Sequence, residues 1–129
     1  RHTRWLRVSW ARRCVSEPAI GAVAEAVTLC EKAGADPNKM IKALSGGWAD
    51  SKVLQTHGKR MIDKDFSPKG KTSGQLKDMN NILECANNYN THLPISNLVK
   101  EMYKSLVDNG HGETDHSSLY KEIERINNK

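Results

Sequence analysis

The stretch PAIGAVAEAVTLCEKAG, residues 18–34, decides the fold class. Ile20, Val23, Ala24, Val27 and Cys30 recur at intervals of three and four, which a helix gathers into one apolar stripe. Gly34 then supplies the left-handed residue on which helices commonly stop. The pattern predicts a helix from about Pro18 to Ala33.

The same start and stop signals recur to the C-terminus. Asp36 reads as an N-cap and Pro37 as a first helical residue, with Met40, Ile41 and Leu44 inward and Gly46-Gly47 as the stop. A third helix is expected over about Asp50–Ile62, with Val53, Leu54 and Met61 on one side. A loop holding Phe66, Pro68 and Gly70 follows, from Asp63 to Lys71. The fourth helix is expected from about Ser73 to Tyr89, with Leu76, Met79, Leu83 and Ala86 inward. Pro94 opens the fifth, with Leu98, Val99, Met102 and Leu106 inward and Gly110 as terminator. The last starts near Asp115 and carries Leu119, Tyr120, Ile123 and Ile126. No alternating β-like run of convincing length, internal repeat or low-complexity linker interrupts this. The expected architecture is all-α, a compact bundle of about six helices.

At 129 residues, 37% hydrophobic and 27% charged, the chain has the size and composition of one globular domain. No run approaches the roughly 18–20 apolar residues of a membrane span. Cys14, Cys30 and Cys85 are too few, too odd in number and too widely spaced for a disulfide framework or a zinc site, which points to a reducing compartment. Cys30 and Cys85 are expected as small buried hydrophobes. The chain lacks an initiator methionine, which reads as a fragment or a processed chain.

The net charge of +5 is local. Arg1, Arg4, Arg7, Arg12 and Arg13 fall before the first acid, Glu17; setting those five aside leaves 15 basic residues against 15 acidic. Trp5 and Trp10 lie in the same short arm. Two readings attach to residues 1–18: a basic, aromatic arm for nucleic acid or a membrane surface, which the neutral body does little to support, or a mitochondrial-type targeting segment.

The common catalytic signatures are missing: no G-x-G-x-x-G, P-loop, G-x-S-x-G or H-E-x-x-H occurs. His111, Glu113, Asp115 and His116 are metal-ligand types, but they read as an exposed polar turn with Asp115 as an N-cap, and no metal is expected. Gly46-Gly47-Trp48-Ala49-Asp50-Ser51 puts small residues at a helix start, where backbone donors meet an anion or simply make a capped turn. Lys77, next to the inward Leu76, lies at the edge of an apolar face, followed by Asp78.

Taken in order, six segments resemble the C-terminal domain of the 3-hydroxyisobutyrate dehydrogenase family, which includes tartronate semialdehyde reductases (2-hydroxy-3-oxopropionate reductases) and is related to 6-phosphogluconate dehydrogenase. They are Ala24-Glu25-Ala26 with Lys32-Ala33-Gly34; Gly46 to Leu54; Asp65-Phe66-Ser67-Pro68; Leu76-Lys77-Asp78; Leu93-Pro94-Ile95; and Gly110 to Leu119. The G-G-x-A-x-S-x-V-L form leans towards the tartronate semialdehyde reductases. The resemblance covers residues 19–129. It implies an NAD(P)-dependent oxidoreductase acting on a small hydroxyacid or semialdehyde, in which a Rossmann domain binds the nicotinamide cofactor. The helical domain would close the active site and mediate homo-oligomerisation. It also implies that Lys77, the lysine of the L-K-D motif, contacts NAD or NADP. A cytoplasmic location follows for a bacterial chain and a mitochondrial matrix one for a eukaryotic chain; nucleic acid and membrane are not expected partners.

The departures fall in residues 1–18. The family's G-x-G-x-x-x-K-x-x-N segment, whose lysine moves the proton and whose asparagine holds substrate, has no counterpart there, because the arm contains no lysine, glycine or asparagine. Arginine stays protonated and is no substitute. Pro18 stands where the family runs a long continuous helix and is expected to break it. Gly70 replaces a residue that is often aromatic. These features suggest that the arm is not native family sequence but out-of-frame or mis-assembled, that no catalytic residue is present, and that the chain alone has no dehydrogenase activity.

Overall fold

The computed structural model describes residues 2–128, with side chains described for residue 9 and from residue 11 onward. Six α-helices and no strand form the fold among these residues. Helix α1 spans His2–Lys32 and α2 Pro37–Leu44. A π-helical turn, Leu54–Gly58, runs directly into α3, Lys59–Asp63. Helices α4, Thr72–Asn88, and α5, Pro94–Leu106, form an antiparallel pair. A second π turn, Val107–His111, and a 3-10 turn, His116–Ser118, lead into α6, Leu119–Asn127.

Helix α1 is the axis of the domain and touches each of the other five helices. Its stripe Ile20, Val23, Ala24 and Val27 is buried, as its spacing requires, against Leu54, Met61, Met79, Tyr103, Leu106 and Leu119. The caps are where local chemistry puts them. Asp36 accepts from the Asn38 N–H at 2.9 Å, and Gly34, Gly46 and Gly110 take left-handed φ of 78°, 79° and 90°.

Pro18 does not break α1. The helix continues through it, so its start lies far upstream of the expected position near residue 18. An interior proline removes one backbone hydrogen bond and costs about 3 kcal/mol. Tertiary anchoring on both sides offsets that cost: Glu17 and Ile20 are each 1% exposed, and Cys14, a turn earlier, packs on the core.

Three helix faces are rotated from the expected ones. In α5, Leu98 is solvent-exposed and Tyr103 is fully buried instead. In α6, Ile126 is exposed and Glu122 is buried, held by Arg125. In α4, Thr72, Gln75, Met79 and Ile82 form the buried face, while Leu76, Leu83 and Ala86 are half-buried at its edge. Cys30 and Cys85, expected as buried, are likewise half-buried.

Gly58 sits where the π turn packs closely on α1 and α2. A Cβ there would lie 3.0 Å from Ile41 Cδ1 and 3.4 Å from Val23 Cγ1. Gly58→Val therefore overfills a packed contact and is expected to lower stability by roughly 1–3 kcal/mol. The shift of the urea midpoint measures it; an unchanged midpoint means that the contact is slack.

Candidate functional site

Lys77 and Asp78 lie in the second turn of α4, one residue past the half-buried Leu76. Lys77 is exposed, and its ammonium has no ion-pair or hydrogen-bond partner among the described residues. Asp78 is tied back to α1, with its Oδ2 3.5 Å from Arg13 Nη2. The same guanidinium donates from Nη1 to Gln75 Oε1 at 3.0 Å and to Glu17 Oε1 at 3.3 Å. Arg13 thus bolts the start of α4 onto α1 and leaves Lys77 facing solvent.

Behind Arg13 lies a buried polar cluster. Glu17 accepts from Ser16 Oγ at 3.1 Å and from the Tyr103 hydroxyl at 3.3 Å, and its Oε2 is 3.5 Å from His116 Nδ1. Burial works to raise the Glu17 pKa, but His116, Arg13 and Ser16 outweigh it and the carboxyl is held below its ordinary value. Burial, reinforced by the neighbouring carboxylates, pushes the Tyr103 phenol well up, so it serves as a neutral donor.

The turn 111–118 is not the exposed polar loop its composition suggests. Asp115 is 1% exposed, and Ser117 and Ser118 are fully buried. Asp115 does cap the following turn, accepting from Ser117 N at 3.0 Å. It also accepts from Lys69 N and Gly70 N at 3.1 Å each and from Ser117 Oγ at 2.6 Å, with Arg60 Nε at 3.7 Å. Burial opposes ionisation, yet these donors hold its pKa down to about 2. Backbone bonds from Thr72 N to Thr114 O and from His116 N to Gly70 O complete the join between this turn and the 66–73 loop.

His57, Asp115 and His116 offer ligand atoms within 4.8 Å of one another. The donor chemistry opposes a cation there: both Asp115 oxygens already accept from N–H or O–H groups, and the Arg60 guanidinium lies against them. The Gly46–Ser51 segment answers its own question similarly. Asp50 Oδ2 accepts from Gly46 N and Oδ1 from Ser51 N, each at 2.8 Å, so an internal carboxylate uses the backbone donors that an outside anion would need. Trp48 at its tip is fully exposed.

A hollow of about 370 Å³ between α1 and α4 is lined mainly by apolar groups, with Cys14 and Cys85 on its walls. No helix among the described residues is long and apolar enough to cross a membrane. The arginines at 1, 4 and 7 and the tryptophans at 5 and 10, on which the basic-arm reading rests, lie outside the described side chains.

The fold is one seen in solved 3-hydroxyisobutyrate dehydrogenases. It superposes with a TM-score of 0.84 on the Salmonella typhimurium enzyme, at 23% identity, over 89% of this chain and 40% of that one. The Mycobacterium tuberculosis enzyme, solved with L-serine, gives 0.83 at 18% identity, over 91% and 42%. Residues 13–123 match the family model described as the NAD-binding domain of NADP-dependent 3-hydroxyisobutyrate dehydrogenase, and the chain belongs to that family. Over 109 residues it is 38% identical to the 2-hydroxy-3-oxopropionate reductase of Escherichia coli (strain K12), covering 84% of this chain and 37% of the reductase. The chain spans little more than a third of the length of that reductase and of a probable 3-hydroxyisobutyrate dehydrogenase-like protein of Arabidopsis thaliana, and less of other relatives.

The resemblance read from the six segments is thus correct at the level of family and fold. What the sequence reading missed is Glu17, His57 and the hub at Asp115. The Asp-His-Ser-Ser run did signal a cap, but nothing in its composition signals burial.

Proposed function

We propose that this chain is the helical domain of an NAD(P)-dependent 3-hydroxyacid dehydrogenase, of the 2-hydroxy-3-oxopropionate reductase or 3-hydroxyisobutyrate dehydrogenase type. In that role it closes the active site over a small hydroxyacid or semialdehyde, contacts the cofactor through Lys77 and supplies a homo-oligomer surface. The observation that carries the reading is Lys77 itself: an exposed ammonium without a partner among the described residues, on a turn held by the Asp78–Arg13–Gln75 contacts. A positioned, exposed lysine fits the negatively charged groups of a dinucleotide.

When bound, the nicotinamide supplies the hydride chemistry. This chain's part is to hold and enclose, because the arm carries no counterpart of the proton-transfer lysine. Residues 1–18 stand in our reading as an atypical arm and residues 19–129 as the family domain. The chain alone is expected to show no turnover of tartronate semialdehyde with NADH or NADPH; a clear rate refutes that.

A chimera tests the positive claim: the E. coli reductase up to the point matching Arg12, followed by residues 13–129 of this chain, which keeps the Arg13 contacts to Gln75 and Asp78. There, Lys77→Ala is expected to raise the cofactor KM about 10- to 100-fold, the loss of one charge-assisted contact, with kcat little changed. An unchanged KM removes Lys77 from cofactor binding.

A further inference from the structure

Two imidazoles meet inside the domain, behind the Arg13–Glu17 pair. The rings of His57, on the π turn, and His116, on the 115–118 turn, lie edge to face with centroids 4.5 Å apart. The Nδ1 atoms of both are buried, and neither makes a hydrogen bond. His116 Nδ1 is nevertheless 3.5 Å from the buried Glu17 carboxylate of α1. The pair therefore joins three segments distant in sequence.

The charged and titratable groups facing this pair are Arg13 and Glu17 from α1, Arg60 from α3, Tyr103 from α5 and Asp115 from the turn. A proton on His116 faces Glu17. A proton on His57 is opposed by burial, the His116 ring and the Arg60 guanidinium; the Asp115 and Glu17 carboxylates favour it but are outweighed.

We propose that Glu17, His57 and His116 form an acid-release clasp, in which uptake of a proton by His57 separates the π turn from the 115–118 turn and loosens both from α1. The inference does not depend on the cofactor reading, since none of the three residues is assigned to it. Its sign is set by the geometry. Burial first, and then the charge of His116, lower the His57 pKa below its ordinary value of 6.5. Below about 6.5 the unfolded chain then binds a proton that the folded chain refuses, so stability is complete above that pH and falls below it, down to the folded-state value. Glu17, also lowered, adds a second loss only below its ordinary value of 4.5.

The test is urea unfolding of the whole chain at steps from pH 8 to 5, with the histidine C2–H resonances followed by NMR over the same range. The folding constant is expected to fall as pH drops below 6.5, by up to about tenfold per pH unit for one proton. His57 is expected to titrate below 6.5, and His57→Gln to flatten the curve between pH 6.5 and 5. Two results overturn the clasp: His57 titrating at or above 6.5, or His57→Gln keeping the parental slope. If the variant does not fold at pH 8, the resonance titration of the parent chain decides alone.

Discussion

Asp115→Ala is expected to lower stability by about 3–5 kcal/mol, the range for removing one partner from a buried charged group. The substitution strands the N–H groups of Lys69, Gly70 and Ser117 and the Ser117 hydroxyl, and leaves Arg60 beside a cavity. Each buried donor left without an acceptor carries its own desolvation cost of about 1–3 kcal/mol. The loss is larger than any single hydrogen bond because one carboxylate closes two loops at once. The same carboxylate has a pH signature. With its pKa at about 2 against the ordinary 3.8, it contributes about 2 kcal/mol that is present above pH 4 and lost as the pH falls to 2. Chemical unfolding of the parent chain and Asp115→Asn at pH 7 and pH 3 separates the two parts. If Asp115→Ala costs less than 1 kcal/mol, the donors find water and the turn is not a hub.

Tyr103→Ala is expected to cost about 3–5 kcal/mol, or roughly 10–20 °C in melting temperature. The ring is fully buried among helices α1, α5 and the final turn, so truncation leaves a cavity near the centre of the domain. The hydroxyl donates towards Glu17 Oε2 and the His116 carbonyl, both at 3.3 Å, so its removal also weakens the environment of a buried carboxylate. Tyr103→Phe isolates that second part and is expected to cost about 1–2 kcal/mol. Calorimetry of the two variants gives both numbers. A phenylalanine variant as unstable as the alanine one shifts the weight from packing to the polar cluster.

The family model and the 38% identity to the reductase place the chain in a dehydrogenase family, solved structures share its helical frame, and the frame was readable from local pattern. Helix stops at Gly34 and Gly110 and caps at Asp36 and Asp115 depend on residues within a turn of one another. A single chain segment contains everything needed to recognise them. The stripe on α1 was legible because Ile20, Val23, Ala24 and Val27 keep a helical spacing, although Val15 and Leu29 stay exposed elsewhere on the helix.

On α5 the apolar residues Leu98, Val99, Met102, Tyr103 and Leu106 spread wider than one contact face. Periodicity left the choice of edge open. The position of Glu17 settled it, drawing Tyr103 inward and leaving Leu98 exposed. Lys77 was legible only as a lysine at an edge; that Arg13 ties the neighbouring Asp78 back to α1 is a tertiary fact.

By itself, then, the sequence determined that the domain is helical, where its helices stop and to which family they belong. Each of those depends on the order of nearby residues. Tertiary structure alone decided that Pro18 is tolerated, that Asp115 is a hub and that Glu17, His57 and His116 meet. A buried charge or an interior proline survives only where distant partners offset its cost. Here they arrive from far along the chain: Gln75 is 62 residues from Arg13, and Tyr103 is 86 from Glu17.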